Sequence, residues 1–249
     1  MDCLPYSFVD DVTGLLSKYD LNAVDNANVP LWKAVAEIHI ANRETYSFYL
    51  YFEGNTIRYD LNTPSSYKQN INDFLKKKKK FIQFDFFWAK EFDVHDYKTA
   101  NLPVLEDFPE ISFEKAWEFI DTIAECSSGA QLGWFEVNLP DKYADQQDKL
   151  LKKCLDCKIN ASNVKFERYS TESEKFLQFS LATNNVTSVY LNGEWPESIK
   201  KPLEEFIRSE KFWFLEINKE MSWLDCEFFQ GINTVENEGM LVGFGQTSE

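Results

Sequence analysis

The sequence predicts an α/β (or α+β) protein, in which a short helical unit precedes β/α units that share a largely parallel sheet. Three observations lead to this fold class. Residues 1–43 carry apolar side chains at three- and four-residue steps, which is the spacing of an amphipathic helix. Residues 44–103 change to alternation at every second position, which is typical of strands. In residues 104–249, amphipathic helices and short apolar strands follow one another four times.

The helical unit is expected to begin at Pro5, because proline suits the first turn of a helix. Its apolar stripe consists of Phe8, Val9, Val12, Leu15 and Leu16. A shorter segment starts at Asp20, and Pro30 should stop or kink it. A further helix is expected over 31–38.

The middle unit begins with a predicted β-hairpin, whose turn is formed by residues 53–55. Its apolar positions alternate on both sides of that turn: Tyr46, Phe48, Leu50 and Phe52, then Ile57, Tyr59 and Leu61. A helix is expected over 65–79. The next strand is expected to present one face made of Ile82, Phe84, Phe86 and Trp88.

The last unit repeats a helix followed by a strand. Equivalent apolar positions in its strands are Val137, Phe166, Leu191 and Ile217, separated by 29, 25 and 26 residues. Periods in the twenties with one strand and one helix each are typical of solenoids like those of leucine-rich repeats. The alternative is an ordinary three-layer α/β domain whose units have similar lengths. Residues 171–174 read as a capping box, and Pro202 should interrupt the fourth helix.

Composition and charge restrict the function classes. A hydrophobic content of 44% fits a packed core, and the net charge of −15 disfavours nucleic-acid binding. The first residues show no secretory leader, so we expect a soluble cytoplasmic or nuclear protein without a membrane partner. Lys76–Lys80 is a basic exception. We interpret it as solvated lysines that protect the following aromatic strand from aggregation, with binding of an acidic partner or nucleic acid as the alternative.

The sequence predicts neither an enzyme nor a metal site. Five cysteines without a leader indicate reduced thiols, and Cys154 and Cys157 lack the two further ligands that zinc requires. The two histidines, His39 and His95, do not accompany a recognisable nucleophile. We therefore expect no catalytic residue and no cofactor.

The N-terminal residues resemble the F-box in order and approximate spacing. The motif opens with Leu4-Pro5, continues through Val12 and Leu16, and ends with an acidic-Leu step at Leu21 and Trp32 eleven residues later. The whole chain resembles the nematode F-box and F-box-associated (FTH-type) proteins, in which an F-box precedes β/α repeats. Residues 191–199 and 224–229 add to that resemblance.

The resemblance implies a non-enzymatic substrate receptor of a cullin–RING ubiquitin ligase. Six residues would contact or support a Skp-type adaptor: Leu4, Pro5, Val12, Leu16, Leu21 and Trp32. The repeats would bind an unknown target protein, for which the candidate anchors are Trp134, Tyr169, Trp195, Trp213 and Trp223; the alternative for each anchor is a place in the core. The alternative function is a stand-alone scaffold that binds a protein or peptide, with residues 1–43 merely capping the repeats.

Overall fold

The computed structural model describes residues 4–16, 18–26, 29–64, 69–92, 107–126, 132–218, 221–224, 228 and 241–245. Three helices come first: α1 (Tyr6–Leu15), α2 (Lys18–Asp25) and α3 (Pro30–Asn42). A hairpin follows, formed by β1 (Glu44–Glu53) and β2 (Thr56–Asn62), as predicted. The one-turn helix α4 (Ile71–Phe74) and a 3-10 turn at Lys79–Phe81 lead to β3 (Ile82–Glu91) and β4 (Glu110–Ile111).

Helices and strands then alternate through the rest of the described chain. The helices are α5 (Phe113–Cys126), α6 (Ala144–Asp156), α7 (Thr171–Ala182) and α8 (Lys200–Ile207). The strands are β5 (Leu132–Asn138), β6 (Ala161–Phe166), β7 (Ser188–Leu191), β8 (Phe214–Asn218) and β9 (Leu241–Gly245). Short 3-10 turns at Asp141–Tyr143 and Glu197–Ile199 precede α6 and α8.

All the described strands belong to one sheet of nine strands, in the order β4-β2-β1-β3-β5-β6-β7-β8-β9. From β1 through β3 to β9, each neighbouring pair is parallel, and only β2 and β4 run antiparallel to their neighbours. The predicted mixed α/β class and the largely parallel sheet are therefore confirmed.

The predicted repeat spacing coincides with the strand register. Val137 pairs with Phe166, Phe166 with Leu191, and Leu191 with Ile217. The row continues to Phe244 on β9. Each sequence interval therefore brings the chain back to the equivalent position on the adjacent strand.

Helices α4 to α8 and one face of the sheet form the main core. Phe119 of α5 lies 4.6 Å, between ring centroids, from Phe48 of β1, and Phe176 of α7 lies 4.4 Å from Phe135 of β5. Alternate strand residues on this face, including Val137, are almost completely buried. Burial of such aromatic and aliphatic side chains is the main favourable contribution to folding.

The predicted single face of β3 is wrong, because the strand contains a bulge at Asp85. Tyr46 pairs with Phe84, but the next residue, Ser47, pairs with Phe86. One extra residue reverses the direction of the side chains that follow. Ile82 and Phe84 consequently face the core, whereas Phe86 and Trp88 lie on the opposite face of the sheet.

The predicted helix over 65–79 is also wrong in its described part. Helix α4 covers one turn only, with Asn70 at its N-cap accepting a 2.8 Å hydrogen bond from the Asn72 amide. Residues 65–68 lie outside the described residues. A helix that continued to residue 79 would place the charges of Lys76 and Lys79 three residues apart on one side, where like charges repel.

Three smaller predictions require correction. Pro30 does not stop a helix but opens α3, where its missing amide proton costs no hydrogen bond. The capping box of α7 is shifted by one residue, since Ser170 is the N-cap and exchanges hydrogen bonds with Ser173. Pro202 does not interrupt α8, because it falls in the first turn of that helix.

Candidate protein-interaction surfaces

Helix α1 exposes apolar side chains along one side. Phe8, Val12 and Leu15 follow one another at steps of four and three residues, which places them on one helix face. Phe8 is 48% exposed, Leu15 is 47% exposed, and Leu4 just before the helix is exposed as well. We call Leu4, Phe8, Val12 and Leu15 the apolar strip. The opposite side of α1 is buried through Val9 and Thr13.

The six residues for which the resemblance implies a role with an adaptor differ in their exposure to solvent. Leu4 and Pro5 are exposed, and Val12, Leu16 and Trp32 are half-buried. Leu21 is completely buried. Its side chain therefore supports the helical unit from within and is not available for a direct contact in this conformation.

Polar side chains attach α1 to the rest of the helical unit. The Arg43 guanidinium donates to the carbonyl oxygens of Thr13 at 3.2 Å, Gly14 at 3.1 Å and Leu16. These carbonyls lie at the C-terminal end of α1, where the Thr13 oxygen also accepts a hydrogen bond from the Leu16 amide at 3.3 Å, so Arg43 acts as the C-terminal cap. His39 of α3 hydrogen-bonds to Asp10 of α1 at 2.9 Å.

Lys80 connects the helical unit to the sheet. Its ammonium group donates to the second carboxylate oxygen of Asp10 at 2.7 Å, and the ring of the neighbouring Phe81 lies edge-on to His39 at 5.1 Å. Burial raises the pKa of Asp10, but hydrogen bonds from Lys80 and His39 outweigh burial and lower that pKa below its ordinary value. Asp10 therefore remains a carboxylate that three elements share.

The sheet has a second face, opposite the helices, which carries aromatic and charged residues. We call it the aromatic face; its members are Phe86, Trp88, Trp134, Glu136, Lys165, Tyr190, Phe214 and Glu216. Most of these side chains are half-buried, in contrast to their neighbours on the helix side. Alternation along parallel strands places them in two rows across the sheet.

Rings of the two rows contact one another, since Tyr190 of one row lies against Trp134 and Phe214 of the other. The Phe86 and Trp134 rings are stacked at 6.3 Å, Trp134 lies 5.2 Å from Tyr190, and Tyr190 lies 4.8 Å from Phe214. The Trp134–Tyr190 contact runs diagonally across β6, because Trp134 pairs with Asn163 and Tyr190 pairs with Lys165. The result is an aromatic surface that extends from β3 to β8.

The row that contains Trp88 and Tyr190 also carries the charges of Glu136, Lys165 and Glu216. Lys165 lies between two carboxylates, at 3.2 Å from Glu136 and 2.7 Å from Glu167. Burial lowers the pKa of Lys165, but these two carboxylates outweigh burial and raise it. Trp134 Nε1 donates to the other oxygen of Glu136 at 3.1 Å. Burial, assisted by the charge of Glu216, raises the pKa of Tyr190.

The five predicted target anchors fall into different environments. Trp134 belongs to the aromatic face, Trp213 is 62% exposed, and Tyr169 is half-buried with its hydroxyl group 3.1 Å from Glu174. Trp195 and Trp223 are buried, and the Trp223 indole donates to the Trp195 carbonyl at 2.6 Å. Trp195 and Trp223 therefore have a place in the core, which is the alternative that the sequence analysis gave for each anchor.

Among the members of the aromatic face, sequence reasoning singled out only Trp134 as a candidate site residue. Phe86 and Trp88 were grouped with the core-facing Ile82 and Phe84 because the bulge was not foreseen, and Tyr190 and Phe214 were not singled out. The alternation Val189, Tyr190, Leu191 was a usable signal, since a tyrosine between two buried aliphatic residues points to the other face of a strand.

The lysine run is largely neutralised within the chain. Four of its members pair with carboxylates: Lys76 with Asp73, Lys77 with Glu44, Lys79 with Glu125 and Lys80 with Asp10. These carboxylates belong to different elements, so the run fastens the 3-10 turn to its surroundings. These ion pairs support the interpretation of the lysines as a solvated surface.

The described thiols and histidine are structural. Cys154 is buried and burial raises its pKa strongly, while burial raises the pKa of Cys157 to about 11. Neither thiol is therefore a ready nucleophile. Among the described residues, no three His, Cys, Asp or Glu side chains are grouped as a metal site would require. His95 lies outside the described residues.

Across the part of the chain that the structure describes, no helix combines the length and apolar character needed to cross a bilayer. In the comparisons with known proteins, no family model, no curated protein and no solved structure matches this chain.

Proposed function

We propose that this protein is a non-enzymatic protein-interaction module, an F-box-type substrate receptor of a cullin–RING ubiquitin ligase. In this proposal the apolar strip binds a Skp-type adaptor, and the β/α region binds the target protein through the aromatic face. The observation that carries the proposal is the exposure of Phe8 and Leu15 on one side of α1.

Exposed large apolar side chains are costly unless a partner covers them. A group of them along one helix is typical of a protein-interaction site. Ile38 of α3 is a further exposed apolar residue of the same helical unit. Covering Phe8 and Leu15 would remove apolar surface from water at about 25 cal/mol per Å².

We further propose that the β/α region is a solenoid similar to those of leucine-rich repeats. The consecutive order of β5 to β9 and the regular return to paired positions support this proposal. Solenoids present one continuous sheet surface for binding. Here that surface would be the aromatic face.

The second candidate is a stand-alone scaffold without a ubiquitin-ligase link. The contacts of Arg43, His39 and Lys80 favour it, because they fix the helical unit to the beginning of the sheet as a cap would be fixed. Both candidates use the aromatic face. They differ in whether the apolar strip has a partner.

Capture on a purified Skp-type adaptor tests the proposal. We expect wild-type protein to be retained and the Phe8→Asp, Leu15→Asp double variant to fall to background, because two charges would enter an apolar contact. Leu75→Asp is the matched control, since Leu75 is 48% exposed outside the strip. It should be retained like wild type.

Circular dichroism must show that the double variant is folded. Equal capture of wild type and the double variant would contradict adaptor binding through the strip. Background capture of folded wild type would leave the scaffold as the function.

A further inference from the structure

We propose that the aromatic face binds a cationic segment of the target, with an arginine or lysine side chain lying over Tyr190 and Phe214 beside Glu216. This inference rests on the proposed function, since it assigns a chemical class to the partner of the same sheet face. Three features of the face lead to it: the contacting rings, the excess of carboxylates and the contacts that the chain's own lysines make there.

The contacting rings provide the surface for a flat or extended cation. Tyr190 lies between Trp134 at 5.2 Å and Phe214 at 4.8 Å, so three rings form one continuous patch across β5 to β8. The faces of such rings attract cations, and the guanidinium group also stacks on them. The three side chains are half-buried and thus retain accessible surface.

Carboxylates next to the rings supply the charge. Glu136 and Glu167 share the single ammonium group of Lys165, which leaves this trio with an excess negative charge. Glu216 is the register partner of Tyr190, and no described residue forms an ion pair with it. A cation placed over Tyr190 would therefore meet the carboxylate of Glu216 at its side.

The chain's own lysines already use the same recognition on this face. Lys90 Nζ lies 4.4 Å from the centroid of the Trp88 ring, and Lys165 lies between two carboxylates. Tyr190 and Glu216 offer a ring and a carboxylate on β7 and β8, one strand beyond Lys165, which is the register partner of Tyr190 on its other side.

Charge also argues against other occupants. The net charge of −15 attracts a basic segment over a distance and repels phosphate backbones. A second copy of this chain would bring the same excess of carboxylates to the contact. A basic segment of another protein is the partner that complements the face.

Fluorescence anisotropy with a labelled peptide of alternating arginine and glycine tests this inference on the full chain. We expect saturable binding by wild type, weakened about tenfold in Tyr190→Leu and in Glu216→Gln, as the loss of a cation–π or charge contact implies. Tyr190→Phe keeps the ring and should bind within about twofold of wild type.

Glu205→Gln is the control for general charge attraction. It removes the same charge from an exposed position on α8, on the helix side of the sheet. It should bind within about twofold of wild type. Equal weakening by Glu205→Gln and Glu216→Gln would overturn the inference, as would equal binding of a glutamate–glycine peptide or preferential binding of a single-stranded RNA.

The adaptor experiment separates this inference from the proposed function. The folded Phe8→Asp, Leu15→Asp variant should bind the arginine peptide like wild type. If wild type is captured by the adaptor but binds no arginine peptide, the cationic partner is wrong and the receptor function stands. If the peptide binds and adaptor capture fails, the cationic partner stands and the receptor function is wrong.

Discussion

His39 Nε2 lies 2.9 Å from Asp10 Oδ1, and this hydrogen bond joins α3 to α1 in the interior of the helical unit. The other ring nitrogen, Nδ1, is 3.5 Å from Nη2 of Arg43. Because the Asp10 carboxylate can only accept, a proton resides on Nε2, and the nearby positive guanidinium group disfavours a second proton on Nδ1. The contacts therefore select one neutral tautomer of a completely buried histidine.

This arrangement predicts that acid destabilises the helical unit. Burial lowers the pKa of His39 below its ordinary value of 6.5, and the charges of Arg43 and Lys80 add to burial while Asp10 opposes it. Between the folded pKa and 6.5 the unfolded chain binds more protons than the folded chain. The contribution of the neutral His39 to folding stability is therefore complete above pH 6.5, and it is lost as the pH falls from 6.5 through the folded pKa.

Denaturant midpoints measured between pH 8 and pH 5 check this prediction. We expect the midpoint of wild type to fall over that interval and the fall to be smaller in His39→Gln, which cannot take up the proton. His95→Gln is the matched control and should keep the wild-type slope. A flattened slope in His95→Gln instead of His39→Gln would assign the effect to the other histidine.

The ion pair between Lys80 and Asp10 predicts a modest, salt-dependent contribution to stability. The Lys80 side chain is 46% exposed, so Lys80→Gln should cost about 0.5–1 kcal/mol at low salt and less at high salt. Asp10→Asn disturbs the buried His39 as well and should cost about 1–3 kcal/mol. Urea titrations of both variants and the double variant give the coupling energy. Strict additivity would show that the two groups do not interact in solution.

Gly133 is predicted to accept a side chain only at a cost in stability. A Cβ atom at this position would overlap Asp85 Oδ1 and would lie 3.1 Å from the Asp85 carbonyl oxygen. Gly133→Ala should therefore cost about 1–3 kcal/mol of stability through overpacking. Adding Asp85→Ala removes the nearer contact and should recover part of that loss, which thermal unfolding of the single and double variants can measure. No loss in Gly133→Ala would mean that β3 shifts freely against β5.

The same contact explains what sequence reasoning could and could not reach. Apolar spacing predicted the parallel sheet and even its register, because Val137, Phe166 and Leu191 recur at the length of one helix plus one strand. The bulge at Asp85 could not be predicted in this way. Its position depends on how closely β3 approaches Gly133 on a strand 48 residues away in the sequence.

For the candidate surfaces, too, the sequence pattern indicates some of the residues, whereas their exposure and contacts depend on the tertiary structure. The helical spacing of Phe8, Val12 and Leu15 was visible in the sequence, but exposure depends on which side of α1 packs against α3. The Trp134–Tyr190 contact joins strands that are separated by a third strand. Such a contact follows from the strand order, so local alternation alone identifies its members but not their proximity.

Truncation of Leu21 is predicted to reduce folding stability much more than truncation of Leu15. Leu21 is completely buried, so Leu21→Ala should cost about 2–5 kcal/mol of stability through lost burial and a cavity. Leu15 is 47% exposed, and Leu15→Ala should change stability by less than about 0.5 kcal/mol. Urea unfolding followed by circular dichroism measures both. If Leu15→Ala were as destabilising as Leu21→Ala, the side chain of Leu15 would have to pack within the protein, and the apolar strip would not be available to a partner.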